Sequence, residues 1–243
     1  MNVSFVIPFH NEEKNVGPML EQVMQYCLKQ KLDFEIIPVN DRSSDGTAKV
    51  LDKYAHKYKY INPISRAQDL EKMGNSMGKA LLEGSKLAQG TIIIWTMGDL
   101  SDEPKTYGEI IAKINQGYDM VFGSRYISGG TWGSLDPTKA FLSSRGTILA
   151  RILFGVPVHD ITNAFRGFKK ELLHKIKLES SGYAISPEFA VKAHLSGYKL
   201  AEVPTIYNKR VEGVSNFKLW RMSLAYLRIY LRLFLNKILG KSV

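Results

Sequence analysis

Hydrophobic and polar positions along the chain follow two alternating rhythms. Residues 3–7 form a short apolar run, which reads as a buried strand. Helical spacing then takes over at Val16, Met19, Leu20, Val23, Met24 and Cys27. Residues 34–39 make a second strand run, with Pro38 an awkward member because it cannot donate to a ladder. A polar turn from Asn40 to Thr47 follows. There Ser44 or Asp45 can cap a helix whose apolar stripe holds Val50, Leu51 and Tyr54. Strand, turn and helix therefore occur twice in order, and crossover helices of this length make neighbouring strands parallel.

The rhythm continues with less force. Residues 60–64 suggest a weak strand, residues 73–79 a loop with Gly and Ser, and Leu81, Leu82 and Leu87 a short helix. The strongest run is Ile92-Ile93-Ile94-Trp95, which ends abruptly in Thr96-Met97-Gly98-Asp99-Leu100-Ser101-Asp102-Glu103-Pro104. Acid at the carboxyl end of a buried parallel strand sits at the edge crevice where open α/β sheets bind ligands. Carboxylates and a hydroxyl clustered there suit a hard divalent cation. The alternative is an ordinary turn in which Asp99 or Asp102 caps the helix after Pro104. Beyond it come a short strand at 119–122, a Gly-, Ser- and Thr-rich stretch at 127–137 that suits a mobile loop, and a basic helix at 138–153 with Lys139, Arg145 and Arg151. A helix from Lys170 and a last strand at 199–207 complete this part.

Near the end, Phe217, Trp220, Leu224, Leu227, Leu231, Phe234 and Ile238 step by threes and fours, with Lys218, Arg221, Arg228 and Arg232 on the other side. This is a basic amphipathic helix. It can lie in a membrane interface, or pack on the domain or a partner helix. Its cations and apolar residues are dense enough to favour the membrane.

Composition adds limits. A chain of 243 residues with 44% hydrophobic content allows one α/β domain with at most a small appendage. The sole cysteine, Cys27, falls on an apolar helical stripe and reads as a packed thiol in a reducing compartment. No charged n-region or long apolar segment opens the chain, and no window of about 20 uncharged apolar residues suggests a spanning helix. The net charge of +10 implies an anionic partner. Nucleic acid is disfavoured because no stacking motif accompanies the basic residues.

Several short motifs now stand in order: Pro8-Phe9-His10-Asn11-Glu12-Glu13, Asn40-Asp41 with Asp45-Gly46-Thr47, Gly123-Ser124-Arg125-Tyr126, Ser144-Arg145-Gly146, Asp160-Ile161-Thr162, Phe165-Arg166 and Arg210-Val211-Glu212-Gly213. Together they resemble the family 2 inverting glycosyltransferases, and within them the dolichyl- or polyprenyl-phosphate mannose synthases. The resemblance implies an α/β, Rossmann-like GT-A fold: a mixed, mostly parallel sheet flanked by helices, over residues 1–213. Residues 214–243 would be the amphipathic, membrane-associating helix.

The resemblance also implies roles. Pro8, His10, Glu12, Val39 and Asp41 match nucleoside-holding positions, and Gly98, Asp99 and Arg210 complete the nucleotide-sugar site. Asp99 would bind Mg²⁺ or Mn²⁺ against the diphosphate, with Ser101 and Asp102 as further metal ligands. Arg125, Arg145 and Arg166 would hold the acceptor phosphate, and Glu188 is the candidate base should the acceptor be a hydroxyl. Three positions depart from the family pattern: Met97 replaces the first acid of Asp-x-Asp, Asn40 the first acid of Asp-Asp, and Asn216 a lysine. The expected reaction moves a hexose, with mannose and its donor GDP-mannose favoured, to a polyprenyl or dolichyl phosphate on the cytoplasmic face of a membrane, with room for a membrane partner subunit. The alternatives are a UDP-sugar-dependent transferase, to the same lipid or to a saccharide hydroxyl, and a non-catalytic nucleotide- or lipid-binding subunit.

Overall fold

Apolar β-branched runs alternate with helical stripes through the first half of the chain, and the computed structural model turns them into a parallel sheet with crossover helices. It describes residues 2–66, 76–209 and 219–239. Strands β1 (Val3–Phe9), β2 (Phe34–Asn40), β3 (Ile64–Ser65), β4 (Ile92–Trp95), β5 (Met120–Ser124), β6 (Arg166–Lys169) and β7 (Leu200–Pro204) form one sheet in the order β3-β2-β1-β4-β6-β5-β7. All neighbouring pairs are parallel except those made by β6, which runs against both β4 and β5. Helices α1 (Glu13–Lys29), α2 (Thr47–Lys57), α3 (Met77–Leu87), α4 (Lys105–Asn115), α5 (Pro137–Phe154), α6 (Leu172–Lys175), α7 (Ile185–Leu195) and α8 (Leu219–Ile238) flank it.

The two hydrophobic clusters lie on opposite faces of the sheet. Alternation along β1 assigns Phe5, Ile7 and Phe9 to one cluster, with the α1 stripe from Val16 to Cys27, and Val6 to the other, with α3, α5, α7 and α8. The expected α1 stripe is buried throughout. Pro38 is accommodated by strand alternation. Ile36 N–H donates to Tyr60 O on the β3 side, so residue 38 points its missing donor the same way, where pairing is interrupted at Asn62 and Pro63. The weak strand expected at 60–64 is reduced to a bridge at Ile61 and two residues of β3. The loop expected at 73–79 is a helix from Met77 onward, and residues 73–75 lie outside the described residues.

Two features differ from the sequence reading. Strand β6 carries no apolar run, because Arg166-Gly167-Phe168-Lys169 is short and half polar, yet it fills the gap between β4 and β5. Gly167 lets α4 close onto it: a Cβ there would sit 2.3 Å from Ile110 Cγ2. In α8, the side packed on the domain is Met222, Tyr226, Ile229, Tyr230 and Leu233, not the stripe read from the sequence. Of that stripe, Trp220, Leu227, Leu231 and Ile238 are exposed, and Phe234 packs on the core. Phe217, Lys218, Asn216 and the expected boundary at 213/214 lie outside the described residues. No helix among the described residues is long and apolar enough to cross a membrane.

Candidate active site

The carboxyl ends of β1, β2 and β4 lie side by side, and each turns sharply. Asn11, Arg42 and Leu100 follow these strands with φ of 55°, 58° and 63°. Left-handed non-glycine residues of this kind gather where a fold holds strained backbone for a site. The turns lock to one another. Asn11 N–H donates to Ser43 Oγ at 3.0 Å, Ser44 N–H to Asn11 Oδ1 at 2.7 Å, and Glu12 N–H to Thr47 Oγ1 at 2.9 Å. Asp45 accepts from Glu13 N–H at 3.1 Å and from Thr47 N–H and hydroxyl at 3.0 and 2.6 Å. Burial pushes the Asp45 carboxyl up, but these hydrogen bonds outweigh it and lower its pKa.

Within this bracket Asp41 is buried and already partnered. Arg66 and Arg42 pair with its Oδ1, and Ser76 hydroxyl donates to Oδ2 at 2.6 Å. His10 Nδ1 donates to Asp41 O at 2.6 Å. That carbonyl only accepts, which sets the Nδ1–H tautomer. Asn40, the departure from the family's acidic pair, caps its own turn: its Oδ1 accepts Ser43 N–H at 3.1 Å and its Nδ2 donates to Ser65 Oγ at 3.2 Å. Pro8 and Val39 are buried in β1 and β2. Gly98 belongs to the same junction, since a Cβ there would stand 2.5 Å from Phe9 Cδ1 and 2.8 Å from Pro8 O.

On the other side of β4 a cavity of about 400 Å³ opens, lined by Met97, Asp99, Ser101 and Asp102 at the strand's end and by Arg125 after β5. Asp99 Oδ1 accepts the N–H and hydroxyl of Ser101 at 3.1 and 2.6 Å, which shapes the turn. Asp102 does not cap α4. Its Oδ2 turns back to accept Thr96 hydroxyl and Met97 N–H, both at 2.9 Å. Burial, with Asp99 adding to it, raises the Asp102 pKa to about 7 against the hydrogen bonds that lower it. Two carboxylates and a hydroxyl on one cavity wall form a hard-oxygen donor set. This set fits a divalent cation that draws its remaining ligands from phosphate or water, as Mg²⁺ does. Among the described residues no cluster of three or more His, Cys, Asp or Glu is placed to hold a metal alone.

Arg125 is fixed at the cavity by Asp160, which accepts its Nε at 2.7 Å, its Nη2 at 2.8 Å and its backbone N–H at 3.0 Å. Ser143 Oγ accepts from Nη2 at 3.0 Å. Nη1 makes no hydrogen bond to a described residue. Burial works against the Arg125 charge, but the Asp160 carboxylate more than offsets it and raises the pKa.

The structure does not bring the other expected acceptor residues there. Arg166 is fully buried and donates to the carbonyl oxygens of Ile161, Asn163, Ala164 and Ser186. Burial pulls its pKa down to about 9. Its guanidinium holds the 161–166 turn and does not line the cavity. Arg145 is exposed on α5, with its guanidinium 4.9 Å from the Phe141 ring centre. Glu188 is buried on α7 away from the cavity. It accepts the N–H groups of Glu179 and Ser180 at 3.1 and 2.8 Å and pairs with Lys192 and Arg232, each at 3.3 Å. His159 satisfies local bonds with Glu202. Arg210 lies outside the described residues.

Among the other residues of the wall, the sequence reading assigned no site role to Lys139, Ser143, Tyr183, Tyr207, Lys209 or Tyr226. Asn208 N–H donates to Ser101 O at 2.9 Å, which stitches the segment carrying Lys209 to the Asp99 turn. The neighbouring Arg210 was the only signal in that region. Asp160 was visible as a motif, but nothing local paired it with Arg125.

Residues 4–177 match the family model for glycosyl transferase family 2. The chain belongs to glycosyl transferase family 2. This family member is 30% identical over 217 residues to polyprenol monophosphomannose synthase from Mycolicibacterium smegmatis, with 86% of this chain and 78% of that protein aligned. It is 29% identical over 224 residues to dolichol-phosphate mannosyltransferase from Pyrococcus furiosus, covering 90% of this chain but 60% of that longer protein. In fold, the transferase is similar to glucosyl-3-phosphoglycerate synthase from Mycobacterium tuberculosis, solved with Mn²⁺, UDP and phosphoglyceric acid. The TM-score is 0.69 at 16% identity, over 99% of this chain and 79% of that one. The same enzyme has been solved with Mg²⁺ and UDP, and the TM-score is then 0.66.

Proposed function

We propose that this transferase moves mannose from GDP-mannose to a polyprenyl or dolichyl phosphate, with inversion at the anomeric carbon, on the cytoplasmic face of a membrane. The carrying observation is the single cavity that joins Asp99, Ser101 and Asp102 to Arg125, whose Nη1 is left for a ligand. The two mannosyl-transferring relatives support the sugar and the lipid.

In this reading Pro8, His10, Glu12, Val39 and Asp41 hold the nucleoside. The Asp41 carboxylate exchanges one of its hydroxyl or guanidinium partners for a base N–H. Asp99, Ser101 and Asp102 would hold Mg²⁺ or Mn²⁺. When bound, the cation neutralises charge on the leaving diphosphate. Lys209 lines the same wall and adds positive charge. Arg210 next to it is proposed as a second diphosphate ligand. Arg125 presents Nη1 to the acceptor phosphate, and Asp160 fixes its orientation. A phosphate oxygen attacks C1, the bond from C1 to the diphosphate oxygen breaks, and GDP leaves with the electron pair. The acceptor is already anionic at neutral pH, so no base is required. This agrees with a Glu188 carboxylate that is buried and fully engaged. A saccharide-hydroxyl acceptor would leave the reaction without that base. Arg166 is given no acceptor role.

The test is transfer with a panel of GDP- and UDP-sugars, polyprenyl phosphate and Mg²⁺ or Mn²⁺. Mannosyl-phosphoryl lipid from GDP-mannose is the expected product. Product only from a UDP-sugar would replace the donor. Metal-dependent nucleotide binding without transfer to any polyprenyl phosphate would overturn the acceptor.

A further inference from the structure

The inner side of α8 serves the cavity as well as the core. Met222, Tyr226 and Tyr230 are spaced by four and so lie one above the other on one helix face. Met222 and Tyr226 line the cavity, while Tyr230 lies beyond it with its ring against that of Phe154. Both tyrosines are close to fully buried, Tyr226 with 9% of its surface exposed and Tyr230 with 1%. Neither hydroxyl makes a hydrogen bond to a described residue. The two differ in what surrounds them. The Tyr230 hydroxyl is sealed in the core. Tyr226 belongs to the cavity wall, so its hydroxyl is a buried donor waiting for a partner from that space.

Its neighbours indicate which partner. A Cβ on Gly146 would stand 3.6 Å from both Thr162 Cγ2 and Tyr226 Cδ2, which places the Tyr226 ring beside Thr162. Thr162 Oγ1 in turn accepts from Arg125 Nη2 at 3.4 Å. Arg125 and Tyr226 are near enough for each to act on the other's charge. Burial pushes the Tyr226 pKa up and outweighs the pull of Arg125, so the phenol stays protonated at neutral pH and offers its O–H as a donor. Tyr226 therefore stands with Arg125 after β5, whereas Lys209 belongs to the segment tied to Ser101 beside the carboxylates. A phosphate monoester attacks through one oxygen, and that oxygen is aimed only if the others are held from more than one direction. Asp160, Ser143 and Thr162 take up Nε and Nη2 of Arg125, which leaves Nη1 as one such direction. A single nitrogen fixes a distance but not an orientation.

We propose that the Tyr226 hydroxyl is a second ligand of the acceptor phosphate, donating to an oxygen that does not attack while Arg125 Nη1 holds another. The proposal rests on the lipid-phosphate reading of the cavity. Binding and transfer are measured separately, so the two can fail separately.

The full chain is compared with Tyr226→Phe and Tyr230→Phe, each of which removes one hydroxyl and keeps the ring. Calorimetry reads the affinity for geranyl phosphate, a short-chain and water-soluble prenyl phosphate, and for GDP with Mg²⁺; thermal melting reads stability. Tyr226→Phe should bind geranyl phosphate about twentyfold more weakly, the loss of one hydrogen bond to a charged group. Its affinity for GDP should stay within about twofold, and it should melt no lower than wild type, because the hydroxyl has no hydrogen bond to lose in the free protein. Tyr230→Phe should bind geranyl phosphate within about twofold of wild type, since Tyr230 lies outside the cavity. Geranyl phosphate affinity within about twofold in Tyr226→Phe would overturn the proposal. So would an equal loss in Tyr230→Phe, which would trace the effect to the packing of α8, or a loss confined to GDP, which would move Tyr226 to the donor. Wild type that binds GDP, but neither binds geranyl phosphate nor transfers to any polyprenyl phosphate, would instead overturn the lipid-phosphate reading on which the proposal rests.

Discussion

At the carboxyl ends of β1 and β2 the polar groups are bound to one another, whereas at the ends of β4 and β5 they line a cavity of about 400 Å³. The first region is a closed bracket, and its pairs, such as His10 with Asp41 and Ser76 with Asp41, lie 31 and 35 residues apart. Its key carboxylate, Asp41, is saturated by Arg66, Arg42 and Ser76 before any ligand arrives. The second region keeps capacity in reserve. Asp102 is raised toward neutrality by burial and by Asp99, and Arg125 holds back one nitrogen. In the proposed reading a ligand would enter the first region by exchanging partners and the second by meeting the Nη1 of Arg125. The same contrast separates two buried arginines. Arg125 faces a carboxylate and a cavity, while Arg166 faces only carbonyl oxygens. Burial of an arginine beside a site is therefore no sign of phosphate binding.

The contrast can be broken at several places. The largest effect is expected from Asp99→Ala, which removes a carboxylate from the cavity wall without touching the bracket. Transfer should fall about a thousandfold, while nucleoside binding measured by calorimetry weakens far less. Equal loss of both would join the two regions into one. Asp160→Asn comes next. It loosens Arg125 by weakening its fork, so transfer should drop about a hundredfold. It also leaves a buried guanidinium poorly paired, at a cost of about 3 kcal/mol in chemical denaturation.

Glu188→Gln should act on stability and hardly on rate. Transfer to polyprenyl phosphate should stay within about threefold, with stability lower by about 2 kcal/mol from weakened charged hydrogen bonds. A collapse of rate in a folded variant would return Glu188 to the chemistry. The smallest effect concerns Asp102. Its carboxyl titrates at 3.8 when unfolded and near 7 when folded, so between those values the folded chain holds more protons than the unfolded chain. With chelator present, this residue makes stability fall as pH rises from about 4 to 7 and level off above. Asp102→Asn should remove that slope and raise the melting temperature at pH 8 by a few degrees. A melting temperature that is lower at pH 8 than wild type would show that the carboxylate is not strained there.

The bracket was legible in the sequence because each strand hands its polar turn directly to the next helix. Asp41, Asp45 and His10 are all read from contiguous motifs. The cavity was legible only in the turn that ends the β4 run and in Arg125 after β5. Its other walls come from residues brought in by long crossings: Asp160 beside Arg125, Lys209 beside Ser101, and Tyr226 beside Gly146. Strand β6 escaped notice because four residues with charged ends leave no periodic signal. The inner stripe of α8 escaped because a helix apolar on opposite sides offers two stripes, and the aromatic-led outer one is the easier to see. Glu188 read as a candidate base, and the partners that engage its buried carboxylate, Arg232 above all, lie on segments that the local sequence does not connect with it.

Acceptor and donor KM values for Arg125→Lys test the assignment of the two regions most directly. Lysine keeps the charge but loses the planar fork that Asp160 orients. The account predicts that KM for polyprenyl phosphate rises about a hundredfold while KM for GDP-mannose stays within about twofold. A rise in the donor KM with the acceptor KM unchanged would place Arg125 on the nucleotide sugar and contradict it.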